Sequence, residues 1–309
     1  MPGVYDLVII GGGPAGLSAG LYAARARLNV VMFDPTGGGG WLVKTTIIEN
    51  YPGFPDGVSG PDLAELLIRH AVRFGLRIIE ERATALLAKH NPKRVVTKSG
   101  EHEVRTVIIS TGSSPMLLGV PGERELQGRG VSYCATCDAA LFEGQDVAVV
   151  GGGDAALDEG IEITRHARSA TIIHRRDTFR AEKILQESAF ANKKIKFIFN
   201  TVVDSVNGVK TVTGLSLRNV LTGDESELKV SGVFVFIGTR PNTEFAKDAV
   251  KLDERGYIVT NQFYETSVKG VWAVGDVQDS IYRQAITGAG QGAAAAILVE
   301  KYLHEHPSI

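Results

Sequence analysis

Two cysteines, Cys134 and Cys137, are the residues of this sequence best suited to chemistry, and they are its only cysteines. Their Cys-x-x-Cys spacing is typical of a redox pair that cycles between dithiol and disulfide. We predict a helix from Asp138 to Phe142, whose positive end would favour the reactive thiolate form. The alternative is a pair of buried structural thiols.

Metal binding is not predicted for these cysteines. A zinc site needs further Cys or His ligands at short spacing. Of the seven histidines, only His304 and His306 lie close together, in a polar tail. The sequence therefore favours redox chemistry without a metal.

A glycine-rich turn near the N-terminus predicts the first element that could position a cofactor. Gly11, Gly13 and Gly16 follow the apolar strand Leu7–Ile10 and precede a helical, Ala-rich stretch. Strand, Gly-x-Gly-x-x-Gly and helix in this order are typical of a dinucleotide site, where the helix N-terminus stabilises a pyrophosphate. Asp34 ends the second strand, where a carboxylate can accept a hydrogen bond from a ribose hydroxyl.

The same pattern returns later in the chain. Gly151 and Gly153 follow the strand Val147–Val150, which itself comes directly after the cysteine pair. Asp34 lies 23 residues after Gly11, and His174 lies 23 residues after Gly151. The second repeat reads His174-Arg175-Arg176, with Arg180 four residues on. Guanidinium groups pair with a ribose 2′-phosphate, so the second site is predicted to prefer NADPH over NADH, with a solvated basic turn as the alternative.

A strand at Val271–Val274 and a long Gly- and Ala-rich helix, about Thr287 to Leu303, have no place in the second repeat. They would complete the first repeat, which otherwise ends at Thr111. We therefore predict an α/β fold with two dinucleotide-binding domains, the second inserted into the first.

Length and charge limit the classes of function. The 309 residues suffice for two domains, and the net charge of −2 gives no basic surface for nucleic acid or an anionic membrane. The N-terminus passes straight into a strand without the pattern of a signal peptide. We expect a cytoplasmic protein without a membrane segment.

At this point the sequence resembles the low-molecular-weight, bacterial-type thioredoxin reductases over essentially its full length. The motifs that carry the resemblance are Gly11 to Gly16, Glu49-Asn50-Tyr51-Pro52-Gly53-Phe54, Cys134-Ala135-Thr136-Cys137-Asp138, Gly151 to Ala156, His174-Arg175-Arg176-Asp177 with Phe179-Arg180-Ala181, Gly275-Asp276 and Arg283-Gln284-Ala285. Two differences from the family pattern are found. Gly39-Gly40-Trp41-Leu42-Val43-Lys44-Thr45-Thr46 places an indole where the family usually has a glutamine, and Ser110 replaces an alanine.

The resemblance implies two Rossmann-like domains of three ββα layers, a homodimer, and thioredoxin or a similar small protein as partner. It implies an FAD domain at residues 1–114 and 242–309, and an NADPH domain with the cysteine pair at 115–241. The residues implied for FAD are Gly11, Gly13, Pro14, Ala15, Gly16, Asp34, Asn50, Thr111, Gly112, Gly275, Asp276, Arg283, Gln284 and Ala285. Those implied for NADPH are Gly151, Gly153, Asp154, Ala155, Ala156, His174, Arg175, Arg176 and Arg180.

For catalysis, the resemblance implies that Cys137 faces the flavin and that Cys134 attacks the partner. Asp138 can relay a proton to a leaving thiolate, although it can equally cap a helix. The domains would rotate about crossings near residues 113–130 and 240–243 so that dithiol and nicotinamide approach the flavin in turn. Two other hypotheses are a ferredoxin-dependent reductase and a flavin-bound redox sensor without turnover.

Overall fold

A computed structural model describes residues 3–45, 47–48 and 50–307 of the chain. Thr46 and Glu49, which belong to the motifs quoted above, lie outside the described residues. The strands are β1 Tyr5–Ile10, β2 Val30–Phe33, β3 Arg77–Ile79, β4 Ala85–Leu87, β5 Lys93–Thr97, β6 Gly100–Ile109, β7 Ser113–Pro115, β8 Val131–Ser132, β9 Asp146–Gly151, β10 Ser169–Ile173, β11 Ile195–Ile198, β12 Thr201–Gly208, β13 Val212–Asn219, β14 Glu225–Leu228, β15 Gly232–Phe236, β16 Thr239–Pro241 and β17 Val271–Ala273. The α-helices are α1 Pro14–Arg25, α2 Gly60–Arg73, α3 Ala135–Asp138, α4 Asp154–Ile163, α5 Lys183–Ala191 and α6 Ala285–Glu305, and 3-10 helices span Gly40–Lys44, Ala139–Phe142, Glu244–Ala246 and Gly275–Val277.

The chain forms two compact units. The first contains the residues up to Ser114 and those from Arg240 onward, and the second is Pro115–Thr239. Strands β7 and β16, which contain the two crossings between the units, pair with each other. The second unit is therefore an insertion in the first.

The first unit is built on a sheet whose centre is parallel. The strand order is β3-β2-β1-β6-β5-β4, and β17 also pairs with β6. Strand β6 is long enough to join two layers: its second half pairs in parallel with β1 and β17, while its first half pairs antiparallel with β5. One strand thus connects the nucleotide-type sheet with a β-ribbon.

Alternate side chains along the strands of the first unit belong to two different apolar cores. Leu7 and Ile9 of β1 pack with residues of α1 and α6, whereas Val8 and Ile10 pack with residues of the β-ribbon. Because successive side chains of a strand point to opposite faces, one strand serves both cores. The result is a three-layer ββα arrangement.

The second unit repeats this arrangement with its own residues. Its parallel sheet has the order β11-β10-β9-β15-β8, and an antiparallel ribbon has the order β12-β13-β14. Val147 and Val149 of β9 pack on the helix side, and Ala148 and Val150 pack on the ribbon side. The predicted fold class, two Rossmann-like units of three ββα layers with one inserted in the other, is confirmed.

Helix α6 supplies the helix that the first repeat lacks. It packs along α1, and Gly292 allows this approach because a Cβ there would lie only 1.9 Å from the Ala15 carbonyl oxygen. Gly290, two residues earlier, is exposed, and a Cβ there would meet nothing within 4 Å. Among the described helices, none is long and apolar enough to cross a bilayer.

These two glycines give a matched test of the α1–α6 contact. We expect Gly292→Ala to lower the free energy of unfolding by about 1–3 kcal/mol, since overpacking against backbone forces the helices apart. Gly290→Ala should be neutral or raise it by up to about 1 kcal/mol through helix propensity. Urea unfolding of both variants beside the wild type measures this difference. Equal stability of the two variants would contradict the close contact.

Candidate functional site

The two cysteines form a disulfide, with their Cα atoms 5.4 Å apart. Cys134 has extended backbone angles and is the N-cap of the short helix α3, and Cys137 lies within that helix. Both cysteines are partly exposed. The pair is thus a bonded, accessible unit, unlike two buried structural thiols.

The predicted helix from Asp138 to Phe142 was placed too late. The structure begins α3 at Ala135, inside the motif, and continues it as a 3-10 helix at Ala139–Phe142. Local propensity could not reveal this start, because Cys and Thr favour helices only weakly. As a consequence, Asp138 ends α3, and its side chain caps neither helix.

The Asp138 carboxyl is held in a poorly hydrated position. Burial raises its pKa, and a hydrogen bond from the Ser132 hydroxyl, 2.5 Å from Oδ2, opposes that increase. A carboxyl with a raised pKa keeps its proton to higher pH than an exposed one. Asp138 is therefore suited to proton transfer beside the disulfide.

A second carboxylate touches the redox motif and was missed in the sequence. Oε2 of Glu159, in α4, accepts a hydrogen bond from the Ala135 N–H at 3.0 Å. Helix α4 follows the second glycine turn, so this bond links the turn's helix with the disulfide segment inside one unit. No motif in the sequence pointed to Glu159.

The first glycine turn approaches neighbouring backbone closely. Gly11 has φ +101°, and a Cβ on Gly16 would lie 2.0 Å from the Gly11 carbonyl oxygen. Gly13 is the N-cap of α1, and a Cβ on it would meet nothing within 4 Å. Within the described chain no side chain caps α1, which starts with Pro14 and Ala15. The turn thus combines tight backbone packing with an open helix N-terminus, the geometry that suits a pyrophosphate.

Asp34 lies at the end of β2 as predicted, but it mainly holds the turn. Its side chain is 7% exposed, and Oδ1 accepts hydrogen bonds from the Thr36 N–H and hydroxyl and from the Gly38 N–H. Among the residues that the structure describes, Oδ2 accepts from the Gly12 N–H alone, at 2.8 Å. One lone pair of Oδ2 therefore stays available for a further donor such as a ribose hydroxyl.

Gly275 and Asp276 lie next to the first glycine turn. Gly275 has φ +71°, and a Cβ on it would be 3.1 Å from the Ala15 Cβ. Its N–H donates to Oε1 of Gln291 at 2.7 Å, a residue of α6 that the sequence had not suggested. Burial raises the pKa of Asp276 to about 6, which the Arg283 guanidinium opposes and Asp279 reinforces.

The segment Arg283-Gln284-Ala285 forms the entry to α6. Arg283 has φ +46°, an unusual backbone conformation for a residue with a side chain and one that tends to occur at functional sites. Gln284 is the N-cap of α6, and its Oε1 accepts a hydrogen bond from Nδ2 of Asn50 at 3.2 Å. Two predicted site residues from distant motifs therefore meet.

Thr111 and Gly112 follow β6, near the end of the first part of the first unit, and are joined to Asn242. The Thr111 hydroxyl donates to the Asn242 carbonyl at 2.7 Å, and Nδ2 of Asn242 donates to the Thr111 carbonyl at 2.9 Å. The Asn242 N–H also donates to the Gly112 carbonyl at 3.0 Å. Asn242 thus fixes the pair from the returning chain.

Trp41, one of the two residues that depart from the family pattern, uses its indole N–H within the protein. Nε1 donates to the Ser113 carbonyl at 2.9 Å, and the Lys44 ammonium lies 4.6 Å from the indole ring centre. The indole therefore ties the 3-10 helix Gly40–Lys44 to the start of β7.

The second glycine turn has the same two properties as the first. A Cβ on Gly151 would lie 2.6 Å from the Ala156 Cβ, while one on Gly153 would meet nothing within 4 Å. No side chain in the described ranges caps α4, whose first residues are Asp154 and Ala155. Oδ1 of Asp154 accepts from the Glu182 N–H at 2.7 Å, so this side chain braces the following loop.

His174 and the three arginines occupy different environments, although the sequence grouped them. His174 is 6% exposed, a Cβ on Gly152 would lie 2.2 Å from its ring, and its Nε2 has no hydrogen-bond partner in the part of the chain that the structure describes. Burial lowers its pKa, a hydrogen bond with the Thr178 backbone opposes this, and the charges of Arg180 and Arg176 lower the pKa further. The His174 ring packs against Gly152 and is harder to protonate than an exposed imidazole. Three arginines are exposed, Arg175, Arg176 and Arg180. The backbone N–H of Arg180 donates to the Gly152 carbonyl.

Each unit thus offers a set of polar groups that fits one dinucleotide. The first combines an uncapped helix N-terminus with a free lone pair on Asp34, and the second combines an uncapped helix N-terminus with exposed guanidinium groups. The described residues contain no cluster of His, Cys, Asp and Glu that could hold a metal ion.

Comparison with known proteins agrees with this geometry. The family model for pyridine nucleotide-disulphide oxidoreductases matches residues 5–292. The thioredoxin reductase of Mycolicibacterium smegmatis is 48% identical over 303 residues, which cover 98% of this chain and 97% of the relative. A bifunctional thioredoxin reductase/thioredoxin of Mycobacterium leprae (strain TN) is 50% identical over 305 residues, covering 98% of this chain and 67% of the relative.

A solved structure gives the same result. The crystal structure of thioredoxin reductase from Streptococcus pyogenes MGAS5005 has a TM-score of 0.94 at 42% sequence identity, and the match covers 98% of this chain and 99% of that one. The chain therefore belongs to the pyridine nucleotide-disulphide oxidoreductase family, among the bacterial-type thioredoxin reductases.

Proposed function

We propose that this protein moves two electrons from NADPH, through FAD, to the Cys134–Cys137 disulfide and then to a disulfide of thioredoxin. The observation that carries the proposal is an accessible disulfide in the same compact unit as a glycine turn flanked by exposed arginines. A redox pair and a pyridine nucleotide site within one unit are what such a reductase needs.

FAD is proposed for the first unit. Bound there, it would supply the redox chemistry that takes up a hydride and passes two electrons to a disulfide. The open N-terminus of α1 at Gly13 would hold the pyrophosphate, and Oδ2 of Asp34 a ribose hydroxyl. The remaining residues proposed for FAD are Gly11, Pro14, Ala15, Gly16, Asn50, Thr111, Gly112, Gly275, Asp276, Arg283, Gln284 and Ala285.

NADPH is proposed for the second unit. The N-terminus of α4 would hold the pyrophosphate, with Gly151, Gly153, Asp154, Ala155 and Ala156 forming the turn. Arg175, Arg176 and Arg180 would pair with the 2′-phosphate, because guanidinium groups make charge-assisted bonds to phosphate oxygens. His174 would contribute by packing its ring against Gly152 of the turn.

The protein's own sulfurs then carry the reaction. Two electrons and two protons convert the Cys134–Cys137 disulfide to a dithiol, and Asp138 delivers one proton to a leaving thiolate. The Cys134 thiol next loses its proton, and its thiolate attacks a partner disulfide to form a mixed disulfide. Cys137 then loses its proton and displaces the reduced partner, whose two sulfurs take up two protons. The original disulfide is restored.

The choice of thioredoxin as partner rests on the relatives. The Mycobacterium leprae relative is named for both a thioredoxin reductase and a thioredoxin. We further propose a homodimer that acts in the cytoplasm and contacts neither nucleic acid nor a membrane, which rests on the resemblance to the family.

Replacement of Cys134 by Ser tests the order of the sulfurs. We expect NADPH-dependent reduction of thioredoxin to fall at least about 1,000-fold, because the attacking thiolate is missing. Bleaching of the flavin by NADPH in stopped-flow should persist, because that step needs neither sulfur. Turnover close to that of the wild type would refute the proposed route.

A pair of variants tests cofactor selectivity. Arg176→Gln should lower kcat/KM for NADPH about 10- to 100-fold, the value of one charge-assisted contact, and leave kcat/KM for NADH nearly unchanged. His174→Gln should lower both values by a similar factor, because the neutral ring supports the turn and carries no charge for the 2′-phosphate.

Arg165→Gln is the matched control for the arginine variant. Arg165 is exposed, lies just after α4 and pairs with Glu162, so its loss should change neither cofactor's kcat/KM. An equal loss for NADPH and NADH in Arg176→Gln would contradict the assignment of this side chain to the 2′-phosphate.

A further inference from the structure

Ser132 begins the redox segment, residues 132–138, and its hydroxyl hydrogen-bonds two other residues of that segment. Its hydroxyl lies 2.5 Å from Oδ2 of Asp138, 3.2 Å from the Cys134 carbonyl oxygen and 3.1 Å from the Cys134 nitrogen, whose N–H it accepts. One side chain therefore contacts both the first cysteine and the acid that follows the second.

The position of Ser132 is fixed by the sheet. Ser132 is 4% exposed and ends the edge strand β8, where it pairs with Phe234 of the neighbouring strand β15. Asp138, by contrast, lies on the four-residue helix α3, which has no long element of its own to anchor it. The Ser132–Asp138 bond thus joins the short helix that follows the first cysteine to the parallel sheet.

A serine hydroxyl has one proton and can accept as well as donate. When Asp138 is a carboxylate, the Ser132 proton lies between Oγ and Oδ2. When Asp138 is protonated, the acid can donate to Oγ, and the Ser132 proton can turn to the Cys134 carbonyl. Both protonation states of Asp138 therefore find a partner without movement of the backbone.

We propose that Ser132 is a positioning residue that holds the Asp138 carboxyl in place in both of its protonation states and bonds the carboxylate more strongly than the acid. The inference rests on the proposed function, in which reduction breaks the S–S bond with two electrons from the bound flavin. One sulfur then leaves as a thiolate, Asp138 passes it a proton and becomes a carboxylate, and Ser132 donates to that carboxylate.

Removal of the Ser132 hydroxyl should change the pKa of Asp138. The Ser132 bond stabilises the charged form and so lowers the pKa of Asp138, against the larger opposite effect of burial. Ser132→Ala should therefore raise the pKa of Asp138 further. Since the acid must be protonated to supply its proton, the alkaline limb of the rate profile should move to higher pH, while the maximal rate falls about tenfold through lost positioning.

The first experiment measures Asp138 without any need for turnover. The carboxyl band of the full-length oxidised protein is titrated by infrared difference spectroscopy, with Asp138→Asn identifying the band. We expect a higher midpoint in Ser132→Ala than in the wild type, and a midpoint near that of the wild type in Ser132→Thr, which keeps a hydroxyl. The same midpoint in Ser132→Ala and the wild type would overturn the proposal.

The second experiment is a double-mutant cycle on NADPH-dependent disulfide reduction. If Ser132 acts through Asp138, Ser132→Ala should have no further effect on the rate in the Asp138→Asn background. An equal fold-loss in both backgrounds would show a purely structural role and overturn the proposal. A wild-type protein that shows the expected titration but no turnover would instead reject the proposed function and leave the positioning role intact.

Discussion

Close approach of backbone to backbone around helix α1 is the constraint on which the first unit depends. A Cβ on Gly16 would lie 2.0 Å from the Gly11 carbonyl oxygen, and a Cβ on Gly292 would lie 1.9 Å from the Ala15 carbonyl oxygen. Neither distance can be relieved by rotating a side chain, since the obstructing atoms belong to the backbone. These two glycines bring the turn, its helix and the C-terminal helix together, and so place Gly275 beside Ala15.

The residues at the ends of β2 and β10 show that one position can support a turn in two ways. Asp34 accepts the Gly12 N–H, whereas the ring of His174 packs beneath Gly152, the equivalent glycine of the second repeat. In both units the residue 23 positions after the first glycine of the turn stabilises that turn. The two turns nevertheless differ in charge, because the first has the Asp34 carboxylate and the second has the exposed arginines.

The redox segment is held by polar side chains because its helix is too short to hold itself. Helix α3 has four residues, and isolated helices of that length are not stable in water. Ser132 binds it from the sheet, and Glu159 binds the Ala135 N–H from α4. The disulfide is thus positioned by the same sheet and helix that flank the second glycine turn.

The sequence by itself determined the two repeats, their strand–turn–helix order, the inserted topology and the cysteine pair, because glycine spacing and apolar periodicity are local signals. It placed the start of α3 too late and gave no sign of Ser132, Glu159, Gln291 or Asn242 as partners. It also grouped His174 with three arginines, although burial separates them. Only the tertiary structure decided these points, because hydrogen bonds such as that between Asn50 and Gln284 join residues far apart in the chain, and burial depends on all the elements that pack together.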